Sequence, residues 1–395
     1  MKKFLILYGA YDRYNYGDNL MPVIFNMFIE KYYPNILHDY SIKYVSIGNS
    51  DLSQYDCPQT EKMNDITSSA PAGSLLVVVG GEVLCASNLT LLMHVQKTPI
   101  AYKVLDSARF LFRRYLSVVT KRFYGTRWEF PYIPPKREFS NNIKIAYSTV
   151  GGGISTLPPR VKELVAARLR SADYFSVRDN RTLSDVSKEV GNVKLYPDSV
   201  LLIPALLTEE ELTDKVSERV KAACEDNYLC FQASPHKVGL NVEVVAETII
   251  KISEAKRQKV ILLPIGYASS HDDLIFLRKL HNLFPQNTLL LSELTVWEIM
   301  FTIMRANCFI GTSLHGVVTA MAFAVPHFVI NPKIDKVSSF VKDWSVDPFN
   351  NSYSLDELIE ITSSDLSWSK KSMQSNSLFL ANLVKENNSN ICNLL

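Results

Sequence analysis

Short apolar runs that end in glycine or polar turns recur along this chain and alternate with helical patterns. Runs of this kind are typical of strands buried on both faces of a parallel sheet. The predicted strands are Phe4–Tyr8, Leu75–Val79, Ile143–Val150, Tyr174–Val177, Tyr228–Gln232, Val260–Ile265, Cys308–Ile310 and His327–Ile330. The predicted helices are Met21–Tyr33, Pro159–Ala172, Glu243–Lys256, Asp272–Phe284 and Val296–Ala306. This alternation predicts an α/β fold built from doubly wound parallel sheets.

The strands and helices fall into two sets, and 395 residues suit two domains of about 150–200 residues each. We predict a Rossmann-like domain over 1–205 with an insertion near 101–140, a charged helical linker over 206–226, a second Rossmann-like domain over 227–350 and a helical tail over 351–395. Ligands of open parallel sheets bind beyond the carboxyl ends of the strands. We therefore expect the two domains to face a central cleft that holds the substrates.

Composition narrows the class of protein. Hydrophobic residues make up 47% of the chain, and the net charge of +2 gives no overall reason to expect a nucleic-acid partner. The six cysteines include no CxxC pair, and no Cys/His cluster has zinc spacing, so we predict buried thiols and no metal.

The apolar start of the chain is too short for a signal peptide, and no run is long enough to span a bilayer. We expect a cytoplasmic protein.

One segment, residues 101–140, differs from the rest in composition. Nine lysines and arginines against three acidic residues give it a charge of +6, and ten aromatic residues are interleaved with them. Such a segment suits peripheral contact with an anionic membrane at its cytoplasmic face. It equally suits a basic, solvated helix whose aromatic residues pack on the first domain, and single-stranded nucleic acid is a weaker third reading.

The stretch Gly311-Thr312-Ser313-Leu314-His315-Gly316 follows a predicted strand and leads into a helical pattern. Hydroxyl side chains at such a helix start can cap it, and its free backbone N–H groups favour an anion. A histidine in the same turn is suited to exchange protons with a bound substrate. The alternative is an ordinary capped helix start.

Other polar groups follow other predicted strands. Arg178 follows the strand Tyr174–Val177, and its guanidinium suits a carboxylate or phosphate, or else an ion pair with Asp179. Glycines at the ends of further strands permit either close backbone approach to a ligand or plain turns. They are Gly9, Gly80, Gly81, Gly151, Gly152 and Gly153. No GxGxxG or Walker pattern occurs, so the nucleotide-binding fingerprints are absent.

The order of these pieces resembles the polysaccharide pyruvyl transferase family over most of the chain. The resemblance rests on Gly9-Ala10-Tyr11 with Asn15-Tyr16-Gly17-Asp18-Asn19, on Gly80-Gly81, Gly151-Gly152-Gly153, Ser176-Val177-Arg178-Asp179 and Tyr196-Pro197-Asp198, on Leu263-Pro264-Ile265 with Asp272-Asp273, and on Ser313-Leu314-His315-Gly316 with Pro326 and Lys336. It implies two Rossmann-like domains in a glycosyltransferase-B-like arrangement. Phosphoenolpyruvate would be the donor and co-substrate, a pair of glycan hydroxyls the acceptor, and no cofactor or metal would be needed.

With this resemblance we predict a role for each site residue. His315 and Asp18 are predicted to be catalytic. The predicted donor-binding residues are Arg178, Lys336, Thr312, Ser313 and Arg305, and the predicted acceptor-binding residues are Tyr11, Asn15, Gly17, Gly81 and Gly152. Family members often carry arginine immediately before the Leu-His pair, where this chain has Ser313. Arg178, Lys336, Lys333 and Arg305 are the available replacements for that cation.

Two other functions fit the same predicted architecture. A sugar-nucleotide glycosyltransferase would also use a cationic helix start, in that case for a diphosphate. A non-catalytic member of the family would bind glycan, or act as a scaffold in a membrane-bound pathway, without turnover.

Overall fold

The structure is a computed structural model and describes residues 2–94, 118–266 and 273–395. Contacts divide the chain into two compact units: unit 1 is Met1–Ser199 with Val384–Leu395, and unit 2 is Val200–Leu383. The predicted linker, 206–226, lies within unit 2, where Leu212 and Val220 are buried. The predicted tail is shared, because its last helix begins in unit 2 and ends in unit 1.

Unit 1 is built on a seven-stranded sheet in which each neighbouring pair is parallel. The strands are β1 (Lys3–Tyr8), β2 (Tyr40–Ser46), β3 (Glu61–Lys62), β4 (Leu75–Val78), β5 (Lys144–Val150), β6 (Tyr174–Val177) and β7 (Lys194–Leu195). Their order across the sheet is β3-β2-β1-β4-β5-β6-β7. The order reverses between β1 and β4, as in doubly wound nucleotide-binding folds.

Unit 2 repeats the same plan with six parallel strands. They are β8 (Tyr228–Gln232), β9 (Lys259–Leu262), β10 (Thr288–Leu290), β11 (Cys308–Gly311), β12 (His327–Ile330) and β13 (Ser352–Tyr353). The order is β10-β9-β8-β11-β12-β13, so it reverses between β8 and β11. The predicted α/β class with parallel sheets is therefore confirmed, and all eight predicted strands are present.

Helices connect the strands in both units. Those of unit 1 are α1 (Tyr16–Tyr32), α2 (Ile36–Asp39), α3 (Met63–Ser69), α4 (Asn88–His94), α5 (Pro159–Arg170) and α6 (Asn180–Val190). Those of unit 2 are α7 (Ile203–Leu206), α8 (Glu209–Thr213), α9 (Glu218–Ala223), α10 (Pro235–Val238), α11 (Val242–Lys256), α12 (Asp273–Leu283), α13 (Val296–Met304), α14 (Leu314–Ala322), α15 (Asp335–Trp344), α16 (Leu355–Ser363) and α17 (Ser369–Cys392), which continues into unit 1.

Helix α1 begins earlier than the sequence predicted. The sequence pattern predicts a start at Met21, after a loop that contains Gly17, Asp18 and Asn19. In the structure the helix begins at Tyr16 and contains Pro22, so Gly17 and Asp18 lie in its first turn rather than in a loop. The Asn15 carbonyl accepts the N–H of Asn19 at 3.0 Å, which closes that first turn.

Each unit has its own apolar core, to which alternate strand positions contribute, such as Ile6 and Tyr8 in unit 1 and Leu229 and Phe231 in unit 2. The positions between them, such as Leu5 and Leu7, are also buried. Strands β4, β6, β8, β11 and β12 are buried at every position, which matches their unbroken apolar runs. Among the helices in the described ranges, none combines the length and the apolar character needed to cross a bilayer.

The basic and aromatic segment is described from residue 118 onward, and its part over 101–117 lies outside the described residues. Trp128, Phe130 and Tyr132 are buried and belong to the core of unit 1, as the packing alternative predicted. Residues 118–124 are helical, and Phe123 is 68% exposed there. The segment therefore contributes both to the core and to the surface of unit 1.

Candidate functional sites in the two units

Several of the sequence-predicted residues follow the strands at which the strand order of each sheet reverses. In unit 2 this reversal lies between β8 and β11, and Gln232 and Gly311 are paired across it. In unit 1 it lies between β1 and β4, where Tyr8 and Val78 are paired. Parallel sheets of this topology open a crevice there, because the connections on either side leave to opposite faces.

In unit 2 the predicted helix start is present. Ser313 is the N-cap of α14, and its hydroxyl oxygen accepts the N–H of Gly316 at 3.4 Å. His315 lies in the first turn and is 6% exposed. Gly316 lets the helix approach the sheet, since a Cβ at this position would lie 2.3 Å from Phe309 Cζ. A buried histidine thus sits at a helix terminus whose dipole favours a negative charge.

Behind this helix start, three buried polar side chains join the ends of β8, β9 and β11. The Thr312 N–H donates to Gln232 Oε1 at 3.0 Å, and Gln232 Nε2 donates to Asp273 Oδ2 at 2.8 Å. The same Asp273 oxygen accepts the backbone N–H groups of Ile265 and Gly266 at 3.0 and 2.9 Å. This network holds the turn after β9 and the turn after β11 in a fixed relation.

The Asp273 carboxyl is 3% exposed, and burial raises its pKa from 3.8 to about 6. Hydrogen bonds from Gly266, Gln232 and Ile265, together with the charge of Lys237, act in the opposite direction. Burial disfavours the ionised carboxyl, whereas these hydrogen bonds stabilise it. Carboxyl groups with such opposing effects on their pKa are common in functional sites.

Two predicted cations of unit 2 differ in their placement. Lys336 is half-buried in the first turn of α15, which follows β12, so it belongs to the same sheet edge as Thr312. Arg305 ends α13 and precedes β11, and its guanidinium pairs with Glu209 at 3.0 Å. Because strand β11 separates Arg305 from Thr312, the prediction that Arg305 binds the donor at this helix start does not match the structure.

In unit 1 the predicted acceptor residues surround the end of β4. Asp18 is half-buried in α1, and Asn15 Nδ2 donates to its Oδ2 at 2.7 Å. Gly81 has a φ of +85°, and a Cβ there would lie 3.5 Å from Asp18 Oδ1. Gly152, with a φ of +107°, packs against the backbone of Leu84. Asp18, Asn15 and Gly81 are thus brought together, while Gly17 is buried in the first helical turn and Gly152 supports the neighbouring turn.

The structure does not support Tyr11 as an acceptor ligand. Its side chain is 1% exposed, its hydroxyl donates to the Leu7 carbonyl, and the hydroxyl oxygen accepts the Val45 N–H at 2.9 Å. The tyrosine therefore ties strands β1 and β2 together. The sequence placed it in a glycine-rich loop, where the direction of the ring could not be foreseen.

Arg178 is also placed differently from the prediction. Its side chain is fully buried in unit 1, where it is paired with Glu82, with Asp179 at 3.7 Å and with Asp198 at 3.7 Å. Gly151 makes room for it, because a Cβ there would lie 2.6 Å from the guanidinium. Arg178 therefore stabilises the turns after β4 and β7 and does not face a ligand. This corrects its predicted role in binding the donor.

Sequence reasoning missed Gln232, and it identified Asp273 only through the family pattern. The available signal was a polar residue closing the apolar run of β8. In unit 1 it also missed Asp12 and Arg13, which form an ion pair at 3.5 Å and are largely buried. Among the described residues, no group of three or more His, Cys, Asp or Glu side chains could hold a metal ion.

Comparison with solved structures defines the class of fold. UDP-N-acetylglucosamine 2-epimerase from Neisseria meningitidis, solved with UDP-GlcNAc bound, matches with a TM-score of 0.53 at 8% identity, covering 99% of this chain and 99% of that chain. The N-terminal domain of trehalose-6-phosphate phosphatase from Candida albicans matches with a TM-score of 0.52 at 10% identity, covering 100% and 96%. These likenesses show a glycosyltransferase-B-like fold of two Rossmann-like units. They show the fold alone.

The sequence itself gives the family. Residues 15–333 match the model of the polysaccharide pyruvyl transferase family, which is most of the chain. The chain belongs to that family, and the resemblance stated from its motifs is confirmed. Among curated proteins, none matches its sequence. Family membership assigns the chain to the polysaccharide-modifying transferases.

Proposed function

We propose that this protein transfers the pyruvyl group of phosphoenolpyruvate to a pair of glycan hydroxyls and forms a cyclic ketal during the synthesis of a cell-surface polysaccharide. The observation that carries the proposal is the helix start of α14, where the buried His315 lies in the first turn beside the capping Ser313. Family membership supplies the class of reaction. The reaction uses phosphoenolpyruvate as a co-substrate and no cofactor.

The proposed chemistry adds one proton to the methylene carbon of phosphoenolpyruvate, which becomes the methyl group of the ketal. The first glycan hydroxyl forms a bond to the carbon that carries phosphate, and the bond from that carbon to the phosphate oxygen breaks. The second hydroxyl then closes the ring. Of the two hydroxyl protons released, one balances the proton on the methyl group and the other leaves with phosphate.

In this proposal unit 2 binds the donor. The N–H groups at the start of α14 and the Ser313 hydroxyl bind its anionic oxygens, because a helix N-terminus stabilises negative charge. Lys336 adds a cation at the same sheet edge and takes the place of the arginine that relatives often have at position 313. Thr312 acts mainly by positioning, since its N–H and hydroxyl already bond to Gln232. His315 transfers the proton.

Unit 1 binds the glycan in this proposal. Asp18 accepts a proton or a hydrogen bond from an acceptor hydroxyl, and Asn15 orients it through their 2.7 Å bond. The positive φ of Gly81 favours glycine, which has no side chain. Its absence leaves room for the sugar beside that carboxylate. We further propose a cytoplasmic protein with peripheral membrane contact through residues 101–140, which suits a lipid-linked acceptor.

The test is to incubate the full-length protein with phosphoenolpyruvate and a panel of glycosides, and to measure phosphate release and the mass of the product. We expect His315→Ala to lower kcat by about 10²- to 10⁴-fold, as for the loss of a general acid–base group. His281→Gln, a change of the half-buried histidine on α12, is the matched control and should leave kcat unaltered. Full activity in His315→Ala would exclude the proposed catalytic role.

Thermal shift distinguishes the two other functions. Stabilisation by phosphoenolpyruvate and not by uridine or cytidine nucleotides supports the proposal, whereas the reverse pattern supports a sugar-nucleotide glycosyltransferase. Glycan binding without turnover across the whole panel would identify a non-catalytic member of the family.

A further inference from the structure

A group of polar side chains with unused hydrogen-bonding capacity lies buried at the end of β1 in unit 1. The atoms are Asp12 Oδ1, Arg13 Nη1, Asn19 Oδ1, Tyr124 Oη and Tyr132 Oη. None of them has a hydrogen-bond partner among the residues that the structure describes. Buried polar atoms are nearly always hydrogen-bonded in native proteins, so these five atoms call for a physical explanation.

Direct contacts join Asp12, Arg13 and Asn19, and the charges of Asp12 and Arg13 act on both tyrosines. Arg13 Nη1 is 3.5 Å from Asp12 Oδ1, and Asn19 Nδ2 donates to the Arg13 carbonyl at 3.0 Å. Burial raises the pKa of Tyr124 to about 12, and the Asp12 carboxylate adds to the rise while Arg13 opposes it. Burial also raises the pKa of Tyr132, with Asp12 adding to the rise and Arg13 again opposing it. Both tyrosines therefore lie within electrostatic range of the Asp12–Arg13 pair.

The group is anchored on rigid parts of unit 1. The Tyr132 ring lies 5.3 Å from that of Tyr8, the last residue of β1, and the Tyr8 hydroxyl donates to the Pro131 carbonyl at 2.9 Å. Tyr124 packs against the same core. The side chains of Arg13 and Asp12 remain 20% and 11% exposed, so the group connects to solvent through them. It lies where the strand order of sheet 1 reverses, which is where such sheets bind ligands.

From these contacts we infer that Asp12, Arg13, Tyr124 and Tyr132 form a binding site for the hydroxyls of a neutral sugar ring. This inference rests on the proposed function, because it identifies where unit 1 holds its glycan. The set contains a carboxylate acceptor, a guanidinium donor and two hydroxyls that can do both. Sugar hydroxyls also donate and accept, so a sugar ring can hydrogen-bond to groups of all three kinds.

Charge decides between a neutral sugar and an anion. Asp12 and Asp18 place two carboxylates at this end of β1, and both raise the pKa of Tyr132. Arg13 is a single cation, and it lowers that pKa. Phosphoenolpyruvate would meet net repulsion here, while a neutral pyranoside would not. The inference also gives the basic and aromatic segment a second role, since it contributes both tyrosines to the site.

The test measures sugar binding to the full-length protein without phosphoenolpyruvate, by saturation-transfer NMR with methyl pyranosides of glucose, galactose, mannose and N-acetylglucosamine. We expect Tyr124→Phe and Tyr132→Phe each to weaken binding about two- to tenfold, the usual effect of losing one hydrogen bond. Neither change should lower Tm, because neither hydroxyl has a partner among the described residues.

Tyr40→Phe is the matched control. Its hydroxyl donates to the Leu395 carbonyl at 3.0 Å, at the amino end of β2 and so at the opposite edge of the sheet. It should lower Tm and leave sugar binding unaltered. The inference is overturned if none of the four pyranosides binds, if both tyrosine variants bind as the wild type does, or if they lose Tm as Tyr40→Phe does.

Phosphoenolpyruvate separates this inference from the proposed function. Its stabilising effect on Tm should be the same in the wild type and in both tyrosine variants; a loss confined to those variants would mark an anion site and overturn the inference. If sugar binds as expected but no ketal forms with any acceptor, the proposed function fails and the sugar site stands. If ketal forms at unaltered acceptor KM in both variants, the sugar site fails and the proposed function stands.

Discussion

At the scale of single residues, the buried Asp273 carboxyl makes the stability of unit 2 depend on pH. Its pKa is raised from 3.8 in the unfolded chain to about 6 in the fold, chiefly by burial. Folding thus favours the protonated acid, so this contribution is fully present below pH 3.8 and is lost as pH rises through about 6. The difference corresponds to about 3 kcal/mol.

Asp273→Asn removes this titration and should alter the pH profile of stability. We expect the free energy of unfolding of the wild type, relative to the variant, to fall by up to about 3 kcal/mol between pH 4 and pH 7. Urea unfolding at both pH values measures it. Parallel profiles for the two proteins would show that the Asp273 carboxyl is ionised throughout, held by its three hydrogen bonds.

The residues of the candidate sites were predictable only in part. Ser313 caps α14 and His315 lies in its first turn, as the local pattern predicted, because capping depends on neighbours in sequence. The Gln232–Asp273 contact joins residues that are 41 positions apart, and no local pattern predicts it. Arg178 was predicted to follow its strand and does so, but its burial depends on Glu82, which is 96 positions away.

At the scale of elements, the close packing of α14 on β11 depends on Gly316. A Cβ there would lie 2.3 Å from Phe309 Cζ and 2.9 Å from Ile265 Cδ1. We expect Gly316→Ala to lower the free energy of unfolding by about 1–3 kcal/mol and to lower activity, because the displaced helix moves His315. Phe309→Leu removes the clashing ring carbon, so the double variant should recover part of both losses. Losses that simply add in the double variant would contradict this account.

The turns after β4 and β7 depend in the same way on Arg178. We expect Arg178→Met to lower the free energy of unfolding by about 3–5 kcal/mol, because Asp179 and Asp198 stay buried without that charge. Arg181→Met is the control: Arg181 also pairs with Glu82, at 2.7 Å, but its side chain is 34% exposed and should contribute about 1 kcal/mol or less. If Arg178→Met retained wild-type stability and instead raised the donor KM, the original donor-clamp prediction would be restored.

Elements differ in how well the sequence predicts them. The central strands were identified because burial on both faces leaves an unbroken apolar run. Strand β2 was missed because four of its seven positions are only half-buried, so its sequence, Tyr-Ser-Ile-Lys-Tyr-Val-Ser, alternates with polar residues. Strands β3, β7 and β13 have two residues each, too few for any periodicity. The start of α1 was misplaced because Gly17, Asp18 and Asn19 are typical of a loop, whereas in the structure they lie in the helix.

At the scale of the whole molecule, both units use one topology, with the strand order reversing after the third strand. The alternation of strand and helix predicts this class of sheet, since parallel strands need crossover connections. The division of the chain is harder to foresee. Residues 206–226 look like a linker because they are charged, yet Leu212, Val216 and Val220 are buried in unit 2.

The charge of the whole molecule is +2, but residues 101–140 alone carry +6, and part of that excess is at the surface of unit 1. Phe123 and Val118 are 68% and 66% exposed, and Arg122 is exposed beside them. An exposed apolar pair next to a cation suits insertion at an anionic membrane surface. We expect the protein to co-sediment with vesicles containing phosphatidylglycerol at about 0.05 M salt and to be released at about 0.5 M, because salt screens this attraction.

Charge reversal tests the assignment to this segment. Arg122→Glu should weaken vesicle binding by at least about fivefold, since one basic residue near the surface contributes about 1 kcal/mol. Phe123→Ser should weaken it at both salt concentrations, because apolar insertion is not screened. Lys188→Glu, on an exposed position of α6 in the same unit, is the control for the change in net charge and should have a smaller effect than Arg122→Glu. Equal losses of vesicle binding in these two charge variants, or no binding at low salt, would contradict membrane contact through residues 101–140. The aromatic residues of this segment would then have only the packing and sugar-binding roles.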